Sequence, residues 1–190
     1  MQRKSILALV ALLVAAAVTG ISFAETTATT SASVATSLSG IAETTVAETS
    51  GRHGQVPVWN VTTGATGGIG ACERGDLFLV SSTGYSGDLH LTVYLNNPHE
   101  LVKAYSYLNL ALVVYKEVDG TWQEVPIAGM QADHYTRYLT LTNGYVDFTL
   151  DGLGHGEKYV VSVDSGSFYC IDATQAAQTP PSFYIEVGQR

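Results

Sequence analysis

Leu89-His90-Leu91-Thr92-Val93-Tyr94-Leu95 carries an apolar residue at every odd position and a polar or amphipathic one at every even position. Side chains of an extended strand alternate between its two faces. This period of two therefore reads as a strand with one face in a core and the other toward solvent. Runs of the same kind occupy residues 76–80, 108–117, 121–126, 136–142, 145–150, 158–163 and 182–187, with a further short one at 168–171. Asp119-Gly120 and Asn143-Gly144 lie between runs and read as two-residue hairpin turns, because both central positions of such turns need positive φ. One helix is predicted between the strands: Asn97 can cap it, Pro98 suits its first position and Glu100 supplies the capping-box partner. Leu101, Ala104 and Tyr105 give that helix its apolar side. So many short strands within residues 56–190 predict an all-β domain, a β-sandwich or jelly roll with one short helix.

Upstream of the strands the chain changes character twice. Residues 1–24 combine basic Arg3-Lys4, an apolar run at 6–18 and the small-residue site Ser22-Phe23-Ala24, the three parts of a secretory signal peptide. The apolar run is shorter than the roughly 20 residues of a spanning helix, which disfavours an uncleaved anchor. A secreted, extracellular or cell-surface protein with no stable membrane insertion after cleavage is expected. The chain has 9 Lys+Arg against 17 Asp+Glu, a formal charge of −8, and loss of Arg3 and Lys4 makes it more negative still. Without a basic face it cannot bind nucleic acid by neutralising phosphates.

Residues 25–55 form an N-terminal arm rich in Ser, Thr and Ala, without a single aromatic residue, and cannot build a core alone. A solvated or O-glycosylated stalk is the plain reading. Within the arm, however, Val34, Thr36, Leu38, Gly40, Ala42, Thr44 and Val46 would share one side of an extended strand, small, uncharged and mostly apolar or β-branched. Ser37, Ser39 and Glu43 fall on the other side, where Ile41 breaks the alternation. The arm thus contains a candidate donor strand. Glycines at 64–70 are expected to form a loop or hinge that lets the arm leave its domain.

Two cysteines, Cys72 and Cys170, suit an oxidising compartment and are expected to form one disulfide, with two buried free thiols as the alternative. Their spacing offers no zinc ligand set. Thr63-Gly64-Ala65-Thr66-Gly67-Gly68-Ile69-Gly70 looks like the cofactor turn of short-chain dehydrogenases, but that turn works only between a parallel strand and a helix, and Ala71-Cys72-Glu73 begins no helical period. Histidines at 53, 90, 99, 134 and 155 stand in no His-x-His or His-Glu-x-x-His arrangement, and no Gly-x-Ser-x-Gly elbow is present. No enzyme activity and no catalytic residue is expected. Glu73, Asp76, Asp88, Asp119, Asp147, Asp151, Asp164 and Asp172 fall near predicted strand ends, where extracellular sandwiches can hold calcium; solvated surface acid is the competing and favoured reading, and no ligands are nominated. Asn60-Val61-Thr62 is an N-glycosylation sequon, read either as a glycan acceptor or as a chance triplet.

The stretch DLHLTVYLNNPHELVKAYSYLNLAL at 88–112 resembles the strand, capped helix, strand passage of archaeal extracellular filament subunits, the cannula tube proteins and bundling pilins. These are similar to the TasA-like fibres of bacterial biofilms. The order of signal peptide, Thr/Ser/Ala-rich arm, β-domain and closing strand at 182–187 matches as well, whereas the Pro-Gly-Asp turn common in TasA-like proteins is missing. The resemblance implies donor-strand assembly, in which the arm of one copy fills a strand position in the next and the chain's partners are other copies of itself. A monomeric carbohydrate- or surface-binding sandwich on a flexible stalk is the alternative, made credible by eleven tyrosines.

Overall fold

The computed structural model describes residues 25–29, 31–32, 42–46, 57–62, 68–82, 86–127, 135–153 and 156–189. The expected signal peptide lies outside them. The elements in chain order are β1 Glu25–Thr29, β2 Ser31–Ala32, β3 Ala42–Val46, β4 Val58–Thr62, β5 Gly68–Glu73, β6 Gly75–Ser82, β7 Gly87–Leu95, α1 Pro98–Ala104 and β8 Tyr105–Val118. They continue with β9 Thr121–Glu124, β10 Thr136–Thr140, β11 Tyr145–Leu153, β12 Lys158–Cys170, α2 Ala173–Gln178 and β13 Ser182–Gln189. Two sheets face each other across one core, so the protein is an all-β sandwich.

The larger sheet is organised around β12. One side of β12 pairs antiparallel along nearly the whole of β8, from Tyr159↔Lys116 to Cys170↔Tyr105. Its other side pairs with β6 over residues 158–163 and with β5 over 166–170. The ladder then forks: β4 and β1 continue outward from β5, while β3 lies along β6. On the far side, β8 pairs with β10 and β9 in succession. The smaller sheet runs β11-β7-β13, with β2 joining β13 in parallel.

The alternating stretch that decides the fold is β7. Leu89, Leu91, Val93 and Leu95 point into the core, against Leu108, Leu110, Leu112 and Val114 of β8 and Phe183, Ile185 and Val187 of β13. Burying each such side chain is worth roughly 1.5–3 kcal/mol, which drives the two sheets together. In β12 the inward set is Tyr159, Val161 and Val163, then Phe168 and Cys170. The parity changes because the register slips between Val163 and Ser165, a bulge that returns later residues to the core. What reads in sequence as two runs, 158–163 and 168–171, is therefore one strand. Gly166 is required at this crossing. A Cβ there would stand 2.7 Å from Leu110 Cδ2 and 2.8 Å from Cys72 Cβ, closer than carbon atoms approach.

Helix α1 occupies the predicted place, with Leu101, Ala104 and Tyr105 buried. Asn97 is its N-cap residue by position, but its side chain does not cap the helix. Instead its Nδ2 donates to the Pro180 carbonyl at 3.0 Å and its Oδ1 accepts from the Ser182 amide at 3.0 Å, clamping the start of β13. A second helix, α2, is capped by Asp172, whose Oδ1 accepts from the Gln175 amide at 3.0 Å. Asp119-Gly120 makes the expected turn, with φ of 51° and 77°, and joins β8 to β9. Asn143-Gly144 does not close a hairpin. Its flanking strands belong to different sheets, and only Gly144 has positive φ. Asn143 ties this corner together, accepting from the Thr140 amide at 2.7 Å and donating to the Tyr138 carbonyl at 2.8 Å.

Candidate functional site

Two features stand out from the packed core: the sheet edges that the arm reaches, and the outer face of the smaller sheet. The arm contributes strands to both sheets. Of the candidate donor positions, Ala42, Thr44 and Val46 lie in β3, opposite Ser82, Val80 and Phe78 of β6 in the same chain. Val34, Thr36, Leu38 and Gly40 lie outside the described residues. Just before them, β2 pairs parallel with β13 at Ser31↔Ser182 and Ala32↔Phe183. From Tyr184 to Gln189, β13 pairs with β7 on one side and has no strand on the other among the described residues. An open strand edge presents a row of backbone donors and acceptors to any extended segment that comes near.

On the outer face of the smaller sheet, cross-strand register assembles rows from residues far apart in sequence. Tyr145, Tyr94 and Tyr184 form one row, Asp147, Thr92 and Glu186 the next, and Thr149, His90 and Gly188 the third. The Tyr94 ring centroid lies 5.8 Å from that of Tyr145 and 5.6 Å from that of Tyr184, with the planes tilted. Tyr94 Oη donates to Glu186 Oε2 at 2.9 Å, and Tyr184 Oη to Glu186 Oε1 at 3.3 Å. The hydrogen bond to Glu186 is the main reason that the Tyr94 hydroxyl is held above its ordinary pKa; for Tyr184 burial leads and the Glu186 charge adds to it. Thr92 Oγ1 donates to Asp147 Oδ1 at 2.7 Å, and His90 Nε2 stands 3.7 Å from the same oxygen. Tyr145, 49% exposed, borders a cleft shared with Arg137, Tyr138 and Asn143. Beyond Tyr184 a second cleft is lined by Asn96, Pro98 and His99.

The expected disulfide is absent. Cys72 and Cys170 are both free and buried. Cys72 faces Gly166 and Cys170 faces Gly68, four residues apart along the same ladder. That is roughly 13 Å at a strand rise of about 3.3 Å per residue, whereas a disulfide needs Cα atoms within about 7 Å. Burial pushes the Cys72 thiol up to about 12, with the Glu73 charge adding to it, and the Cys170 thiol up to about 11. Such thiols stay protonated and lack the thiolate that redox or metal chemistry uses.

The carboxylates scatter. Asp76 is fully buried and accepts from Ser162 Oγ at 2.7 Å, Asp172 caps α2 and Asp147 sits mid-strand. Among the described residues no three His, Cys, Asp or Glu side chains come together as a metal site. His53, His134 and His155 lie outside the described residues. Asn60 lies within β4, flanked by β1 and β5, rather than in a loop. Of the glycine-rich segment, 63–67 lies outside the described residues, and 68–70 begin β5 instead of a hinge.

No protein-family model matches the chain, and no curated protein matches it. Among solved structures, a "Family 16 Carbohydrate Binding Module-2" is 13% identical, covering 65% of this chain and 78% of that one with a TM-score of 0.16. At that score the likeness supports no inference. The tyrosine row could not have been found from sequence alone, because Tyr145 lies 51 positions and Tyr184 90 positions beyond Tyr94 and only the register unites them.

Proposed function

We propose that the protein is a secreted structural subunit that polymerises head-to-tail by donor-strand complementation into an extracellular filament, pilus or tube. One observation carries this reading: the parallel register of β2 on β13. That register is seen at Ser31↔Ser182 and Ala32↔Phe183; a donor strand that kept it without a slip would have Val34 opposite Ile185, Thr36 opposite Val187 and Leu38 opposite Gln189. Ile185 and Val187 are core residues of β13. The apolar side of the candidate donor strand thus coincides in phase with the buried side of the edge it would extend. A slip of one residue would reverse every side chain, so the phase match is a specific requirement that the sequence meets.

Strand addition of this kind draws affinity from main-chain hydrogen bonds and specificity from alternate side chains. The arm of a neighbouring copy offers the same backbone and the same side chains as a chain's own arm. Exchange between copies therefore needs no new contact chemistry, and because the two surfaces involved differ, the contact is heterologous and need not close, which is what an open polymer requires. The resemblance of residues 88–112 to archaeal filament subunits points the same way. That passage folds as β7, α1 and β8.

Negative-stain electron microscopy of residues 25–190, concentrated with and without calcium, tests the proposal. Uniform fibres or tubes are expected, and removal of residues 25–41 should give a folded monomer that does not assemble. Filaments formed by that truncated protein, or dispersed monomers of the longer one under every condition, would overturn it.

A further inference from the structure

We propose that the outer face of the smaller sheet binds a neutral oligosaccharide, stacked on the Tyr145-Tyr94-Tyr184 row and held by Asp147 and Glu186. This inference rests on the sandwich face alone and not on polymerisation. A pyranose ring has two apolar C–H faces and a rim of hydroxyl groups. It is recognised by an aromatic ring lying against a face together with fixed acceptors at the rim, and both are present at the same strand positions.

The register places the three rings on adjacent strands, about 4.8 Å apart in the pairing direction. The row therefore crosses the strands as a track long enough for two to three sugar rings. It reaches a cleft at each end: Arg137 and Tyr138 line one, the latter 58% exposed, and His99 lines the other. Two residues along each strand stand the carboxylates. Glu186 is held by two tyrosine hydroxyls and Asp147 by Thr92, so both are oriented before any ligand arrives. A carboxylate has about four lone-pair positions. Those the protein leaves unused can accept a pair of sugar hydroxyls, the bonds that fix which edge of the sugar faces the sheet. Side chains already locked by their neighbours lose little entropy on binding, which favours a weakly hydrophobic ligand of this kind.

Charge selects among stacking ligands. Two carboxylates in one row, on a chain of net charge −8, repel uronates, sulfated sugars and the phosphates of a nucleic-acid strand. A neutral sugar pays no such cost. Arg137 lines the cleft at the Tyr145 end of the track.

The test is a titration of the purified protein, followed by NMR of the tyrosine rings, with neutral hexasaccharides of β-1,4-glucose, α-1,4-glucose, β-1,4-mannose and β-1,4-N-acetylglucosamine, and with hexagalacturonate. At least one neutral hexasaccharide should bind, and hexagalacturonate at least about tenfold more weakly. Tyr94→Ala should weaken binding by about tenfold or more, while Tyr94→Phe, which keeps the ring, should stay within about threefold. Tyr107→Ala, on the outer face of the larger sheet, should change nothing. Three results would overturn the proposal: no neutral hexasaccharide binding to the folded protein at ~10 mM, equal losses in Tyr94→Ala and Tyr107→Ala, or a flat sugar titration with Tyr94→Ala lowering self-association. The last would assign the face to a second copy of the chain.

Discussion

The two sheets differ in how their edges end. In the larger sheet, β1 and β3 from the arm extend the ladder beyond β4 and β6 over five residue pairs each. In the smaller sheet, among the described residues, the arm contributes the two residues of β2, at the very start of an eight-residue β13. Among the described residues, β13 beyond Phe183 has no strand on the side where β2 begins. The centres of the two sheets differ as well. The larger sheet packs the Leu110 and Cys72 side chains against Gly166 with no space for a Cβ, whereas the smaller sheet turns a row of ordered tyrosines and carboxylates outward. The proposed donor strand and the proposed sugar site both fall on the smaller sheet.

The largest effect is expected where this contrast is sharpest. If the proposed donor-strand register holds, Val34→Asp sets a carboxylate beside Ile185, and burial of an unpaired charge is costly. The critical concentration for assembly should rise by about a hundredfold or more, read by sedimentation. Leu38→Asp, opposite the strand end at Gln189, should do less. A Thr44→Cys/Val80→Cys pair, facing each other across β3 and β6, should by contrast lock the arm to its own larger sheet and leave assembly intact. Monomers on a non-reducing gel of oxidised filaments are expected. Covalent multimers would show that exchange extends to the larger sheet and would break the contrast between the two edges.

Stability should divide the sheets the other way. Gly166→Ala forces a methyl group against Leu110 and Cys72 in the middle of the larger sheet, and overpacking of this kind costs about 1–3 kcal/mol. A fall in Tm of roughly 3–10 °C is expected by calorimetry. Tyr145→Ala, on the exposed face of the smaller sheet, should stay within about 0.5 kcal/mol.

A smaller effect is the alkaline response. The thiols of Cys72 and Cys170 move from an ordinary 9.0 to about 12 and about 11 in the folded chain, chiefly through burial. Between those values the unfolded chain loses protons that the folded chain keeps, so their contribution is complete below pH 9 and is lost as pH rises toward 11–12. Buried Tyr105, also raised by desolvation, adds to the same trend. Urea midpoints should be lower at about pH 10.5 than at about pH 8, and Cys72→Ala should flatten part of that difference. Neither native thiol should react with a disulfide reagent until the protein unfolds. Rapid reaction without unfolding would contradict their burial.

What was legible in the sequence follows from one physical fact, that the backbone alternates locally. The period of two in 89–95 located β7 and its core face, Asp119-Gly120 announced a turn that only positive φ can make, and Pro98 with Leu101 and Ala104 placed α1. These features depend on a few neighbouring residues, so a sequence determines them by itself. Helix α2 was missed because its six residues carry no apolar period that separates them from a loop, although Asp172 three places before Gln175 was a cap signal. Asn97 and Asn143-Gly144 carried the correct residue types and led to the wrong partners: their side-chain and backbone groups are used by β13 and by a corner between sheets.

Everything that required knowing which strands meet, and in what register, was decided by the tertiary structure. Two cysteines in a chain expected to be exported suggest a disulfide, yet the β5–β12 register holds them four residues apart. The parity of β12 changes at a bulge that only its pairing with β8 reveals. Tyr94, Tyr145 and Tyr184 are ordinary strand residues in one dimension and a single row in three. Alternation assigns each side chain to a face, but its neighbours on that face come from long-range pairing, which depends on the packing of the whole core.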